Sequence, residues 1–123
     1  MGSNKIVVDA GGGNVDLTIV ANPTSGGVAA GDAAIISETG LATFNAATTS
    51  LTDKIMSVEA GIQTGVAAAA GQTAVFNHDG AAYLFISEGT DGVGAGDMLI
   101  KLVGITATTG LTIDGSGDLI GVA

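Results

Sequence analysis

The chain has 123 residues, which suits one domain, and 46% of them are hydrophobic. Twelve acidic residues oppose three lysines and no arginine, so the net charge of −9 argues against binding to nucleic acid or to an anionic membrane surface. The absence of cysteine excludes disulfides and thiolate chemistry. Because no run of about 18 apolar residues exists, we expect no membrane insertion.

The first third of the chain contains four short segments whose β-branched or alternating apolar residues predict strands. These segments are residues 5–10, 15–22, 33–38 and 41–46. The glycines of "GGGN", residues 11–14, predict either a hairpin turn or the corner of a repeat between the first two strands.

A helical pattern follows. Large apolar residues are spaced three, four and four residues apart, at Ile55, Val58, Ile62 and Val66. Ser50 or Thr52 can cap this helix. Glycine in a helix costs about 1 kcal/mol relative to alanine, so the helix can stop at Gly61 or Gly65, and the alternative is an extension to residue 69. The sequence therefore predicts one short α-helix near residues 52–60.

Strands resume after the helix. Residues 72–77 and 81–87 flank the turn "HDG" and predict a hairpin. In 81–87 and in 97–104, apolar residues occupy both faces, which predicts two central strands that are covered on both sides. Two last short segments predict a closing hairpin. The residues expected in the core are Phe76, Leu84, Phe85, Ile86, Leu99, Ile100 and Leu102. The predicted fold is a single, mainly β domain over residues 1–123, sandwich or β-roll-like, with one short α-helix.

The loop "DGVGAGD" is a candidate calcium site. Asp91 and Asp97 stand at its two ends, and the glycines between them let the backbone fold back. Calcium takes six to eight oxygen ligands, which two carboxylates and the loop carbonyls can supply together. The alternative is a solvated connection between two strands.

A second calcium candidate is "GGGNVDLTI", which is similar to the calcium nonapeptide of RTX proteins and carries Asp16 at the acidic position. It departs from that pattern at two positions. A looser copy, "DGSGDLIGV", carries Asp114 and Asp118. A hairpin turn is the competing explanation of the first segment, because each ion in a β-roll lies between successive stacked repeats.

Catalytic residue patterns are missing from the sequence. His78 is the only histidine, and it lies in a turn beside Asp79 without a serine or cysteine nucleophile nearby. The glycine-rich loops lack the lysine of a phosphate-binding loop. The sequence therefore predicts a non-enzymatic domain rather than a small acidic hydrolase.

Residues 51–113 resemble the C-terminal region of bacterial surface-layer and RTX-type proteins that are exported by type I secretion. The segment "AGQTAVFNHDGAAYLFISEGTDGVGAGDMLIKLVGIT" follows the family pattern F…GG-YLF…D…G…D-LI-L-G. The matching residues are Phe76, Gly80, Tyr83, Leu84, Phe85, Asp91, Asp97, Leu99, Ile100, Leu102 and Gly104. The tail "DGSGDLIGVA" is similar to an uncleaved type I export signal.

This resemblance implies a C-terminal part of a larger secreted protein, located outside the cell or on its surface. Its function would be that of a structural domain of a surface-layer-like or adhesin-like protein, with the ABC-type export machinery and further copies of itself as partners. The alternative is a calcium-binding accessory module of a secreted RTX enzyme or toxin. For self-assembly we expect the first strand, "KIVVDA", and the last, "DLIGVA", to be open sheet edges. The competing possibility is a monomer whose two ends pair within one sheet.

Overall fold

The computed structural model describes residues 5–6, 9–10, 13–14, 17–21, 33–63, 69–90, 93–105, 108, 111–113 and 119–120. Within them, many strands and a single helix confirm the predicted β-rich fold with one helix. The elements in chain order are β1 (Lys5–Ile6), β2 (Asp9–Ala10), β3 (Gly13–Asn14), β4 (Thr18–Ile19), β5 (Ile35–Ile36), β6 (Ala42–Thr43), α1 (Leu51–Ile62), β7 (Gln72–His78), β8 (Ala81–Ile86), β9 (Met98–Leu102), β10 (Thr112–Ile113) and β11 (Leu119–Ile120).

Helix α1 begins as the sequence predicts. The Ser50 Oγ accepts a hydrogen bond from the Asp53 N–H at 3.1 Å, which satisfies one of the amides that the first turn leaves without a helical partner. The Asp53 carboxylate lies in the first turn, where the helix dipole favours a negative charge. The predicted span of residues 52–60 lies inside the observed helix.

The apolar face of α1 packs on the sheet. Val58 and Ile62 are fully buried against Ile36 and neighbouring residues, and the half-buried Ile55 packs against the same cluster. Val66, the fourth residue of the predicted apolar face, lies outside the described residues.

Strands β7 and β8 form the predicted hairpin. His78 pairs with Ala81, so Asp79 and Gly80 alone make the turn. Their φ angles are 54° and 77°, and two positive values in a two-residue turn define type I′, whose twist matches that of the flanking strands. The Asp-Gly dipeptide therefore sets the register of the whole ladder.

The largest sheet has the order β4-β7-β8-β9, with β4 parallel to β7 and the other pairs antiparallel. Strand β8 lies in its interior and is covered on both faces, as predicted. Cluster one, on one face, comprises Leu17, Val75, Ala82, Leu84, Ile86, Leu102 and Leu111. Cluster two, on the face toward α1, comprises Ala34, Ile36, Ala42, Val58, Ile62, Ala74, Phe76 and Phe85.

The prediction that residues 97–104 form a central strand is wrong. Strand β9 is at the edge of its sheet and pairs only with β8 among the described strands. Leu102 is buried as predicted and Ile100 is half-buried, but 37% of the Leu99 side chain is exposed. The physical reason is that no described strand pairs with the outer side of β9, so Met98 and Leu99, which point to opposite faces of the strand, are both partly in solvent.

The shorter strands form three further ladders. Strands β5 and β6 pair with each other, as do β2 and β3. The β2-β3 ladder makes a hairpin that includes part of "GGGN" itself. Within the described residues, β4 of the predicted strand 15–22 pairs with β7 and not with the first predicted strand. Strands β10 and β11 form the predicted last hairpin. Strand β1 pairs with β11 in the sheet β1-β11-β10. The expectation that the last strand is an open edge is therefore wrong, because β11 is bonded on both sides; the two ends of the chain pair within one sheet.

Candidate functional site

Asp97 is the only one of the five predicted calcium ligands that the structure describes. The others, Asp16, Asp91, Asp114 and Asp118, lie outside the described residues. The structure therefore shows the contacts of Asp97, at one end of the predicted loop site. That the five aspartates bind calcium stays a prediction.

The Asp97 carboxylate organises the loop that leads into β9. Its Oδ1 accepts a hydrogen bond from the Glu88 N–H at 2.9 Å, and its Oδ2 accepts one from the Gly94 N–H at 2.8 Å. The Asp97 N–H in turn donates to the Gly94 carbonyl at 3.3 Å. Since hydrogen bonds to a charged acceptor are stronger than neutral ones, this side chain holds the two ends of the loop together.

Glu88 is a second acid in this loop that the sequence analysis missed. Its Oε1 accepts hydrogen bonds from the Thr90 hydroxyl at 3.1 Å and from the Gly96 N–H at 3.3 Å. A Cβ at Gly94 would lie 2.6 Å from this oxygen, and a Cβ at Gly96 would clash with the Glu88 Oε2, so Gly94 and Gly96 leave the space that the carboxylate fills. The signal that could have identified Glu88 is its position directly after a predicted strand, opposite Asp97.

The two carboxylates of this loop keep lone pairs that could coordinate a cation, because an ionised carboxylate offers about four acceptor positions. Within the part of the chain that the structure describes, no group of three or more histidine, cysteine, aspartate or glutamate side chains is placed to hold a metal ion. The described loop therefore contains two carboxylates, Glu88 and Asp97, that are held in place by hydrogen bonds from backbone N–H groups.

An open cavity of about 550 Å³ lies at the other end of β7. The Lys54 Nζ donates to the Asn77 carbonyl at 3.0 Å and lies 5.5 Å from the centroid of the Phe44 ring, so this ammonium group is held in place. Asn77 Nδ2 donates to the Thr108 hydroxyl at 3.2 Å. The lining residues are Leu41, Ala42, Thr43, Phe44, Asn45, Ala46, Thr48, Thr49, Lys54, Asn77, His78, Asp79 and Thr108.

His78 lines this cavity and stacks edge-on against Tyr83, with 6.2 Å between the ring centroids. Its Nδ1 is buried and has no hydrogen-bond partner within the described residues. A general base needs an orienting acceptor on one ring nitrogen and a substrate on the other. The described contacts give His78 a packing role beside the hairpin turn.

The outer edge of β9 is the third candidate. Met98 is 45% exposed, Leu99 37% and Val103 88%. We call these three residues the edge patch. Lys101 lies among them and is exposed. An edge strand presents a row of unpaired backbone N–H and C=O groups, so apolar side chains here can be covered by the addition of another strand.

No protein-family model, curated protein or solved structure matches the chain. No helix in the described ranges is both long and apolar enough to cross a membrane.

Proposed function

We propose that this chain is a non-enzymatic structural domain of a surface-layer-like or adhesin-like extracellular protein, and that it self-associates through the open edge of its four-stranded sheet. The observation that carries this proposal is the edge patch on β9. Among the described residues only six large hydrophobic side chains are exposed, and three of them belong to this patch. This concentration on β9 and the turn after it, at an edge that no described strand covers, favours strand addition over a merely solvated surface.

The edge of β9 has little protection against pairing. Natural sheets guard open edges with lysine, proline, bulges or a covering element. Lys101 is the only charged residue in this strand, and the strand contains no proline, since the only proline of the sequence is at position 23. By contrast, the two faces of β8 are both covered, so the exposed apolar surface is a property of the edge and not of the sheet as a whole.

The net charge of the chain opposes association, and added salt should weaken this electrostatic repulsion. Each copy carries a charge of −9, so two copies repel at low ionic strength. Added salt shortens the screening length to about 8 Å at physiological strength. Calcium remains part of this proposal. It would screen the negative charge of the loop and would bind the carboxylates of Glu88 and Asp97.

The test of self-association is sedimentation velocity over a concentration and salt series, with two matched variants. Met98→Glu puts a charge on the edge patch, whereas Met56→Glu puts the same charge on α1 at nearly the same exposure, 48% against 45%. We expect the unmodified chain and Met56→Glu to associate more strongly as salt increases, and Met98→Glu to remain monomeric. A constant monomer mass for the unmodified chain under all conditions would remove the proposal.

Calcium binding is tested by titration calorimetry on the unmodified chain and on Asp97→Asn. We expect heat of binding in the first and a weaker or absent signal in the second, because the variant loses a full negative charge from the loop. Equal heats, or none in either protein, would remove calcium from the proposal without touching self-association.

Export by a type I system is supported by the resemblance of residues 114–123 to its signals. The test is a secretion assay in cells that carry a type I exporter, with the chain intact and with those residues deleted. We expect export of the intact chain and retention of the shortened one. Equal export of both would overturn the proposal that residues 114–123 are an export signal.

A further inference from the structure

We infer that two copies of this chain pair antiparallel through β9, around a two-fold axis at Leu99 that places Lys101 of each copy opposite Asp97 of the other. This inference rests on the proposed self-association and adds the register and the charge contact that selects it. The partner is therefore a second copy of the same chain.

The direction of the backbone groups in β9 follows from the hairpin. The Ser87 N–H donates to the Gln72 carbonyl at 2.8 Å, so residue 87 faces β7. Hydrogen-bonding direction alternates along an antiparallel strand, so the even-numbered residues of β8 face β9. The Ala82 N–H agrees with this, because it donates to the Ile105 carbonyl, beyond the end of β9, at 3.0 Å.

Leu84 and Ile86 are thus the residues that bond to β9, where they oppose Ile100 and Met98. The N–H and C=O groups of Leu99 and Lys101 consequently point away from β8, toward the open edge. A second β9 can reach only these odd-numbered positions, so its own odd-numbered residues must lie opposite them.

Few symmetric registers satisfy this condition. A two-fold axis at Leu99 sets Lys101 opposite Asp97 of the second copy and the two Leu99 side chains opposite each other. An axis one residue later sets Lys101 opposite Leu99, and an axis at Lys101 sets the two lysines against each other. Opposite charges directly across a strand pair stabilise it and like charges destabilise it, so the register centred on Leu99 is favoured.

The two charged groups are available for this contact. Lys101 is exposed and forms no hydrogen bond or ion pair within the described part of the chain. Each oxygen of the Asp97 carboxylate accepts one backbone hydrogen bond and retains a second lone pair. Leu99 and Lys101 lie on the same face of β9, and Asp97 directly precedes the strand, so in this register the ion pairs and the two leucines are expected on one side of the joined sheet.

This contact uses the same surface on both copies, so it closes at a dimer. A lattice or filament needs a second contact elsewhere. Among the described elements, the outer strands of the other ladders, β1 included, are the places where such a contact could form.

The absence of cysteine makes a disulfide test direct. In this register, Leu99→Cys brings the two Cα atoms to about 5.5 Å, inside the range over which disulfides form. Lys101→Cys leaves the equivalent atoms roughly 14 Å apart, which is too far. Ile100→Cys would link only if the two-fold axis lay one residue later, at Ile100, which shifts the pairing by two residues. We expect a covalent dimer for Leu99→Cys under mild oxidation, and none for the other two.

A charge substitution checks the same register without cysteine. Lys101→Glu sets two acids against each other at both ends of the strand pair. The double variant Thr52→Glu/Met56→Glu makes the same change of net charge at exposed positions of α1. We expect the dimer dissociation constant to increase about tenfold for Lys101→Glu relative to this double variant.

The crosslinking and sedimentation results together distinguish the register centred on Leu99 from self-association itself. If sedimentation shows association but Leu99→Cys does not crosslink, or Lys101→Cys or Ile100→Cys crosslinks instead, the register is wrong and self-association stands. If no preparation associates, both claims fail.

Discussion

Gly61 lies in the last turn of α1, where helix propensity alone favours alanine by about 1 kcal/mol. The structure reverses this preference. A Cβ at position 61 would lie 2.7 Å from the Ala34 carbonyl oxygen, which is backbone and cannot rotate away. The Ala34 N–H also donates to the Ser57 carbonyl at 2.8 Å, so this segment is tied to the helix.

We therefore expect Gly61→Ala to lower the free energy of unfolding by about 1–3 kcal/mol. Met56→Ala, at an exposed position of the same helix, should change it by less than about 0.5 kcal/mol. Urea denaturation of the two variants measures this difference. Stabilisation by Gly61→Ala would mean that the helix does not approach Ala34 this closely.

Asp97 has a structural role that is independent of calcium. Asparagine there keeps one acceptor oxygen but sets an amide NH₂ against a backbone N–H donor, either Glu88 or Gly94. We expect Asp97→Asn to cost about 1–2 kcal/mol of stability in the presence of a chelator. Asp79→Asn is the matched control, because asparagine tolerates the left-handed turn conformation at that position, and it should be nearly neutral. Equal stability of both variants in thermal denaturation would show that the Asp97 bonds do not order the loop.

Among the helix and strands, features that depend on neighbouring residues in the sequence were predicted better than features that depend on tertiary packing. The hairpin turn at Asp79 and Gly80 and the cap at Ser50 depend on residues that are neighbours in the sequence, and both are observed. The alternation in β9 resembles that in β8, but it carries no information on whether a neighbouring strand covers the outer edge. The position of β9 at the edge, and the Glu88 contacts across the loop, depend on tertiary packing and could not be predicted from such patterns.

Leu84 and Leu99 provide a matched comparison of these two strands. Leu84 is fully buried in cluster one, whereas Leu99 is 37% exposed on the edge. Leu84→Ala is expected to cost about 2–5 kcal/mol, because it leaves a cavity. Leu99→Ala should cost about 1 kcal/mol in the monomer, clearly less than Leu84→Ala, since more than a third of Leu99 is already in water. Similar losses in urea denaturation at low protein concentration would show that β9 is covered in the monomer.

In the whole molecule, the sheet β1-β11-β10 joins the two ends of the chain, while β9, at an edge of the separate four-stranded sheet, carries the exposed Met98 and Leu99. Pairing through β9 therefore requires no opening of the terminal sheet. The balance between a short apolar edge and a charge of −9 on each copy predicts weak association that strengthens with salt. A surface-layer-like role fits such a balance, because many weak and identical contacts can build an extended assembly.

Amide hydrogen exchange measured by NMR at low and high protein concentration tests pairing through β9 most directly. The Leu99 and Lys101 amides point to the open edge, so we predict fast exchange at low concentration and slower exchange at high concentration in salt. The Leu84 amide faces β9 inside the sheet and should be protected at both concentrations. Unchanged, fast exchange of Leu99 and Lys101 in a sample that sedimentation shows to be associated would contradict pairing through β9.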